Sequence, residues 1–144
     1  SKALDPFEIG KIRCLKKGNN IAIMSYGITV EMAFKISEIL EQAGQSVSIY
    51  SCHTIKPIDS DRVKDITRLY TQVIIIEEHV PHGGLGSRVK EIAWNIRAPC
   101  LIKHFSLKDE FIHFYGSHTE LLEQHGLEVN LISSQILQEK PLLP

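Results

Sequence analysis

Residues 72–97 read QVIIIEEHVPHGGLGSRVKEIAWNIR, and few architectures accommodate such a stretch. Val73, Ile74, Ile75 and Ile76 form an unbroken β-branched run, too short for a helix and uniformly apolar. A strand with one wet face alternates apolar and polar residues. A strand without that alternation is covered on both faces, as in a parallel sheet sandwiched by helices. Glu77 and Glu78 end the run, and a loop from His79 to Gly84 follows. Leu85, Val89, Ile92, Ala93 and Ile96 then recur at helical spacing. The unit reads as strand, glycine-rich turn, helix. Open α/β sheets place their ligand or partner crevice at such turns, beyond the carboxyl ends of the strands.

At 144 residues, 43% hydrophobic and 23% charged, the chain has the size and composition of one globular domain. Folding such a chain buries roughly two thirds of its unfolded surface. The formal net charge is −1 and no run of Lys and Arg appears, so neither nucleic-acid binding nor attachment to an acidic membrane is expected. No apolar segment approaches the roughly 20 residues that span a bilayer, and the N-terminus lacks a signal-peptide core. Cys14, Cys52 and Cys100 are odd in number and widely spaced, which disfavours a disulfide framework and suits a reducing cytoplasm. The start at Ser1 rather than Met reads as a processed chain or a piece of a longer one.

Taken in order, residues 1–10 (SKALDPFEIG) read as a lead-in arm and residues 11–144 as the domain. Lys11–Leu15 is a candidate short strand. Ile21–Tyr26 is a buried strand stopped by Gly27. A helix follows to about Ala43, with Thr29 as its expected N-cap, an apolar stripe of Ala33, Ile36, Leu40 and Ala43, and Gly44 as its C′ residue. Val47–Ser51 is the third strand. Asp59 or Ser60 is placed to cap a helix carrying Val63, Ile66 and Leu69. After the central strand and its helix, Pro99 is the expected break and Leu101–Phe105 the last strand. A turn near Asp109–His113 and two helices, Thr119–His125 ended by Gly126 and Asn130–Lys140 capped by Asn130, complete the reading. Strands alternating with helices imply right-handed crossovers and a mainly parallel sheet.

Several chemistries are testable against these motifs. A glycine-rich turn opening a helix can cradle phosphate on bare N–H groups. Neither nucleotide fingerprint fits, however: Gly83-Gly84-Leu85-Gly86 follows a late strand rather than the first, and Gly86-Ser87-Arg88 is not the end of a Walker loop. Two carboxylates just upstream also repel an anion. Being adjacent on a strand, Glu77 and Glu78 point to opposite faces and cannot form a facing acid/base pair. One of them is expected beneath the loop, accepting hydrogen bonds from N–H groups of the glycine turn. His53, His79 and His82 share one sheet edge, yet no cysteine lies near them and no H-E-x-x-H helix exists, so a metal centre is not expected. Gly116-Ser117-His118 lacks the nucleophile elbow of serine hydrolases.

The order of the motifs says more than any one of them. IAIMSYG, a helix, a strand, Lys56-Pro57-Ile58-Asp59, a helix, VIIIEEH followed by GGLGS, then Asp109-Glu110-Phe111-Ile112 and Glu120-Leu121-Leu122 before Gly126-Leu127 together resemble the C-terminal domain of the thiamine-diphosphate transketolase group. That group includes transketolases, deoxyxylulose-phosphate synthases and the β subunits of 2-oxo acid dehydrogenases. The resemblance runs from about Phe7 to Ile136. It is nearest to short or split bacterial transketolases, with the deoxyxylulose-phosphate synthases next. The Pro-Tyr segment of the dehydrogenase subunits and the F-G-x-S-A-P segment of full-length transketolases are missing.

The resemblance implies an α/β fold, a three-layer α/β/α sandwich around a mixed five-stranded sheet of order 1-3-2-4-5 with strand 1 antiparallel. It implies that Gly27, Glu78, His79, Gly83, Gly84 and Gly86 form a structural or interface motif along one crevice, with no catalytic, cofactor-binding or metal-binding residue here. In the parent enzyme, thiamine diphosphate and Mg²⁺ would sit between N-terminal and middle domains, whose G-D-G motif and activating glutamate this chain lacks. The implied partners are those domains or subunits, and a homodimer is expected. The implied parent reaction transfers a two-carbon ketol unit between sugar phosphates. Two alternatives remain at this point: a parent synthase or dehydrogenase, and an independent module that binds a ligand in the crevice.

Overall fold

The β-branched run lies inside the sheet, paired on both sides. In the computed structural model, which describes residues 5–6, 8–53, 55–79, 83–107 and 118–138, the strands are β1 (Arg13–Lys16), β2 (Ile21–Ser25), β3 (Val47–Ser51), β4 (Gln72–Glu78) and β5 (Leu101–Leu107). The helices are α1 (Thr29–Gln42), α2 (Ser60–Leu69), α3 (Leu85–Asn95) and α4 (His118–Gln138). The strands form one sheet of order β1-β3-β2-β4-β5, with β1 antiparallel to β3 and the other pairings parallel. This is the order that the family resemblance implied. The winding reverses between β2 and β4, which pair from Ile21 with Gln72 to Ser25 with Ile76.

Alternation along β4 explains the layers. Val73 and Ile75 face one core with Ala22, Met24, Tyr50, Val63, Ile66, Leu85, Val89 and Ile92, so α2 and α3 cover that side. Ile74 and Ile76 face the other with Ile21, Ile23, Ile36, Leu40, Ile49, Val129, Ile132 and Ile136, covered by α1 and α4. All four residues of the run are fully buried, each contributing about 1.5–3 kcal/mol of hydrophobic stabilisation.

Local details differ from the sequence reading at several places. Thr29 does not cap α1. Ile28 occupies the N-cap without a side-chain bond, while the Thr29 hydroxyl donates to the carbonyls of Tyr26 (2.8 Å) and Ile76 (3.0 Å). It thereby ties the end of β2 to β4 at the switch point. β5 runs two residues beyond the expected Phe105, because Ser106 and Leu107 pair in register with Glu77 and Glu78. Finally, the two expected C-terminal helices are one. α4 passes through Gly126, whose cost of about 1 kcal/mol in a helix interior is outweighed by burial of Val129, Ile132 and Ile136 against α1 and the sheet. The expected turn near Asp109–His113 lies outside the described residues.

Other local expectations hold. Asp59 caps α2, its carboxylate accepting from the Arg62 N–H at 3.4 Å. Gly44 takes a positive φ of 90° just past α1. The end of α3 differs: the helix stops at Asn95, four residues ahead of Pro99, and Arg97 with φ 53° turns the chain away, so Pro99 is not the break.

Candidate functional site

The same alternation that layers the core settles which glutamate meets the glycine turn. Continuing from Val73 and Ile75, the next residue on the α3 side is Glu77, whereas Glu78 falls on the side of α1. Glu77 is 1% exposed and Glu78 half-buried. Glu77, not Glu78, is therefore the carboxylate beneath the bend.

Four donors converge on Glu77. Its Oε1 accepts from the backbone N–H of Leu85 (2.9 Å) and the Tyr26 hydroxyl (3.0 Å). Its Oε2 accepts from the backbone N–H of Gly86 (2.8 Å) and from His104 Nε2 (2.6 Å). Leu85 and Gly86 are the first residues of α3, and the N-cap, Gly84, brings no side chain of its own. A carboxylate borrowed from the neighbouring strand thus caps the helix and meets the positive end of its dipole. A phosphate seeking this helix N-terminus would have to displace Glu77.

The chain of contacts continues outward. Lys90 Nζ, which can only donate, lies 3.1 Å from His104 Nδ1. Nδ1 is then the acceptor, and Nε2 carries the hydrogen directed at Glu77. Lys90, His104, Glu77 and Tyr26 form one line of hydrogen bonds from the surface to the switch point. Gly86 belongs to it by being small: a β-carbon there would overlap the His104 ring. Ile75 pairs with His104 in register, which is why the imidazole points toward α3.

Burial alone would push the Glu77 carboxyl up. Hydrogen bonds from His104, Gly86, Leu85 and Tyr26 outweigh it and hold the group below the ordinary carboxylate value of 4.5. Tyr26 moves the other way. Burial, then the charge of Glu77 and the bond to it, raise its phenol far above the usual range. Because the folded chain binds the Glu77 proton less readily than the unfolded chain, this group stabilises the fold fully above about pH 4.5 and loses its effect as pH falls through its lowered value. Urea titrations at several acidic pH values check the sign. Stability should fall more steeply with acidification in the natural chain than in Glu77→Gln.

The other residues singled out in the sequence are distributed around this joint. Gly27 follows Tyr26 with φ 61°, two positions beyond Ser25, just as Glu78 lies two positions beyond its partner Ile76. Gly83 has φ 62° and faces the Lys56 side chain, and Gly84 is the extended N-cap of α3. His79 continues the sheet hydrogen bonding, its N–H donating to the Leu107 carbonyl at 2.6 Å, with Nδ1 3.5 Å from Ser106 Oγ. His53 Nε2 lies 3.1 Å from the Glu8 carbonyl, apart from His79, and His82 lies outside the described residues. Among the described residues no group of three or more His, Cys, Asp or Glu side chains could hold a metal ion.

Sequence reasoning did not single out Tyr26, His104 or Lys90. One signal for His104 was a lone histidine within the strand that comes after a helix opening on glycine, the combination that lets a ring and a helix start come together.

Comparison with known proteins places this arrangement. The family model for the transketolase C-terminal domain matches residues 10–132. The 1-deoxy-D-xylulose-5-phosphate synthase of Bacillus mycoides (strain KBAB4) is 36% identical over 134 residues, covering 92% of this chain and 21% of that protein. The synthase of Bacillus anthracis is 35% identical over the same length. The chain therefore spans about a fifth of the curated relatives it matches. Among solved structures, a split gene transketolase described as an inactive beta4 tetramer superposes with a TM-score of 0.71 at 30% identity, over 93% of this chain and 44% of that one.

Proposed function

The chain belongs to the transketolase C-terminal domain family, and on that footing we propose that it is the non-catalytic C-terminal part of a thiamine-diphosphate-dependent transketolase-type enzyme. The parent reaction moves a two-carbon ketol unit between sugar phosphates. Thiamine diphosphate and Mg²⁺ are held by other domains, and this domain packs against them and extends a dimer interface. The observation that carries this reading is the capped helix: the glycine bend that opens α3 is already filled by Glu77, making the strand-end crevice a joint rather than a seat. Gly27, Glu78, His79 and Gly83 form the outer surface of that joint. Three free cysteines favour work in a reducing cytoplasm.

A domain without catalytic groups still governs rate, since misplacing distant catalytic groups by about 1 Å costs on the order of a hundredfold. The split transketolase neighbour, described as inactive in its beta4 form, supports a division of labour of this kind. A second reading, favoured by 36% identity over nearly the whole chain, makes the parent a deoxyxylulose-phosphate synthase. One assay series separates the possibilities. With thiamine diphosphate, Mg²⁺, a ketose phosphate and an aldose phosphate, the chain alone should give no product. Addition of the polypeptide carrying the remaining domains should restore ketol transfer. Turnover by the chain alone overturns the proposal, and formation of 1-deoxy-D-xylulose 5-phosphate by the assembled enzyme when pyruvate replaces the ketose phosphate, its acetyl unit passing to glyceraldehyde 3-phosphate with loss of CO₂, selects the second reading.

A further inference from the structure

At the opposite end of the sheet from Glu77 lies a groove of about 700 Å³ between the last turn of α3 and the start of β5. Cys100, Ile102 and Trp94 line it, together with Lys90 and Arg97. Trp94 is 84% exposed, the most exposed large hydrophobic side chain after Ile9 among the described residues. No Asp or Glu lines the groove among the described residues. Arg97 holds a left-handed backbone, φ 53°, at a helix end where glycine is the usual occupant and other residues are strained. Beside the groove runs β5, an edge strand paired with β4 on one side only among the described residues.

These features fit one kind of occupant. An exposed indole needs an apolar side chain to cover it. Two cations without a lining carboxylate ask for negative charge. An open strand edge offers backbone hydrogen bonds to an extended chain. We propose that this groove docks an extended acidic segment of a partner polypeptide, laid along β5 with a bulky apolar side chain against Trp94 and carboxylates beside Lys90 and Arg97. The site shares Lys90 with the line of hydrogen bonds that leads to Glu77 and does not depend on the parent reaction.

Trp94 is the only tryptophan of the chain, so its emission reports occupancy directly. The probes are the acetylated peptide Glu-Glu-Leu-Glu-Phe-Glu-Glu and its counterpart with lysine at every glutamate. The acidic peptide should shift Trp94 emission to the blue in a saturable, salt-sensitive way, and the lysine peptide should not. Arg97→Glu should weaken the acidic peptide about tenfold, since it replaces an attractive contact with a repulsive one. Arg97→Gly provides the control for folding: it relieves the backbone, so it should hold or raise the unfolding midpoint while still weakening binding. An unchanged emission spectrum, equal response to both peptides, or full affinity in both variants would overturn the proposal. So would emission already blue in the free chain and shifting red on dilution, the mark of a second copy seated in the groove.

Discussion

Replacing Glu77 with alanine should lower the unfolding free energy by about 3–5 kcal/mol, the range for breaking a buried, hydrogen-bonded charge cluster from one side. The size follows from what is left behind rather than from the carboxylate itself. Leu85 N–H and Gly86 N–H would remain buried without acceptors, and the start of α3 would have no cap. Tyr26 and His104 would lose their shared partner as well. Glu78→Ala, one residue along, should cost about 1 kcal/mol or less, because that side chain is on the other face and half-buried. Urea unfolding of the two variants gives the comparison. Equal midpoints for both would remove the joint from this account. Glu77→Gln should lie between them. An amide has one acceptor oxygen where the carboxylate has two, and its NH₂ group would confront either the Leu85 side or the Gly86 side of the donor set.

That contrast between neighbours also shows where the chain was readable. Four β-branched residues in a row announce a strand covered on both faces, and strict alternation then assigns Glu77 and Glu78 to opposite sides. What alternation cannot supply is which side the next helix packs against. That choice is made by the crossover from β4 through α3 to β5, and only after it is made does Glu77 become the buried partner. The family pattern suggested Glu78 for the crevice, and Glu78 does continue toward the α1 side with Gly27. The inner half of the site, Tyr26 to Lys90, is assembled from residues 26, 77, 90 and 104, which come together only in the folded sheet. The C-terminal helices fail for a different reason. Gly126 is a sound local stop signal, but local preference of about 1 kcal/mol yields to burial of Val129, Ile132 and Ile136 on α4.

Gly86 offers the sharpest test of whether His104 and the helix start form one unit. Gly86→Ala would improve the intrinsic helix propensity of α3 by about 1 kcal/mol if nothing opposed it. Here the new methyl would run into the imidazole, so the ring must move away from Glu77 and surrender its bond to a buried carboxylate. Crowding of this kind typically costs 1–3 kcal/mol, and loss of a charge-assisted hydrogen bond adds to it, so a net destabilisation of about 2–3 kcal/mol is expected. His104→Ala removes the obstacle together with the bond, leaving Glu77 with three donors. In that background the alanine at position 86 should be neutral or stabilising. The two single costs then exceed the cost of the double variant by about 2–4 kcal/mol, a coupling that contacting residues show and independent ones do not. Strict additivity in the cycle would mean that ring and helix do not touch in solution, and Glu77 would then cap α3 without help from β5.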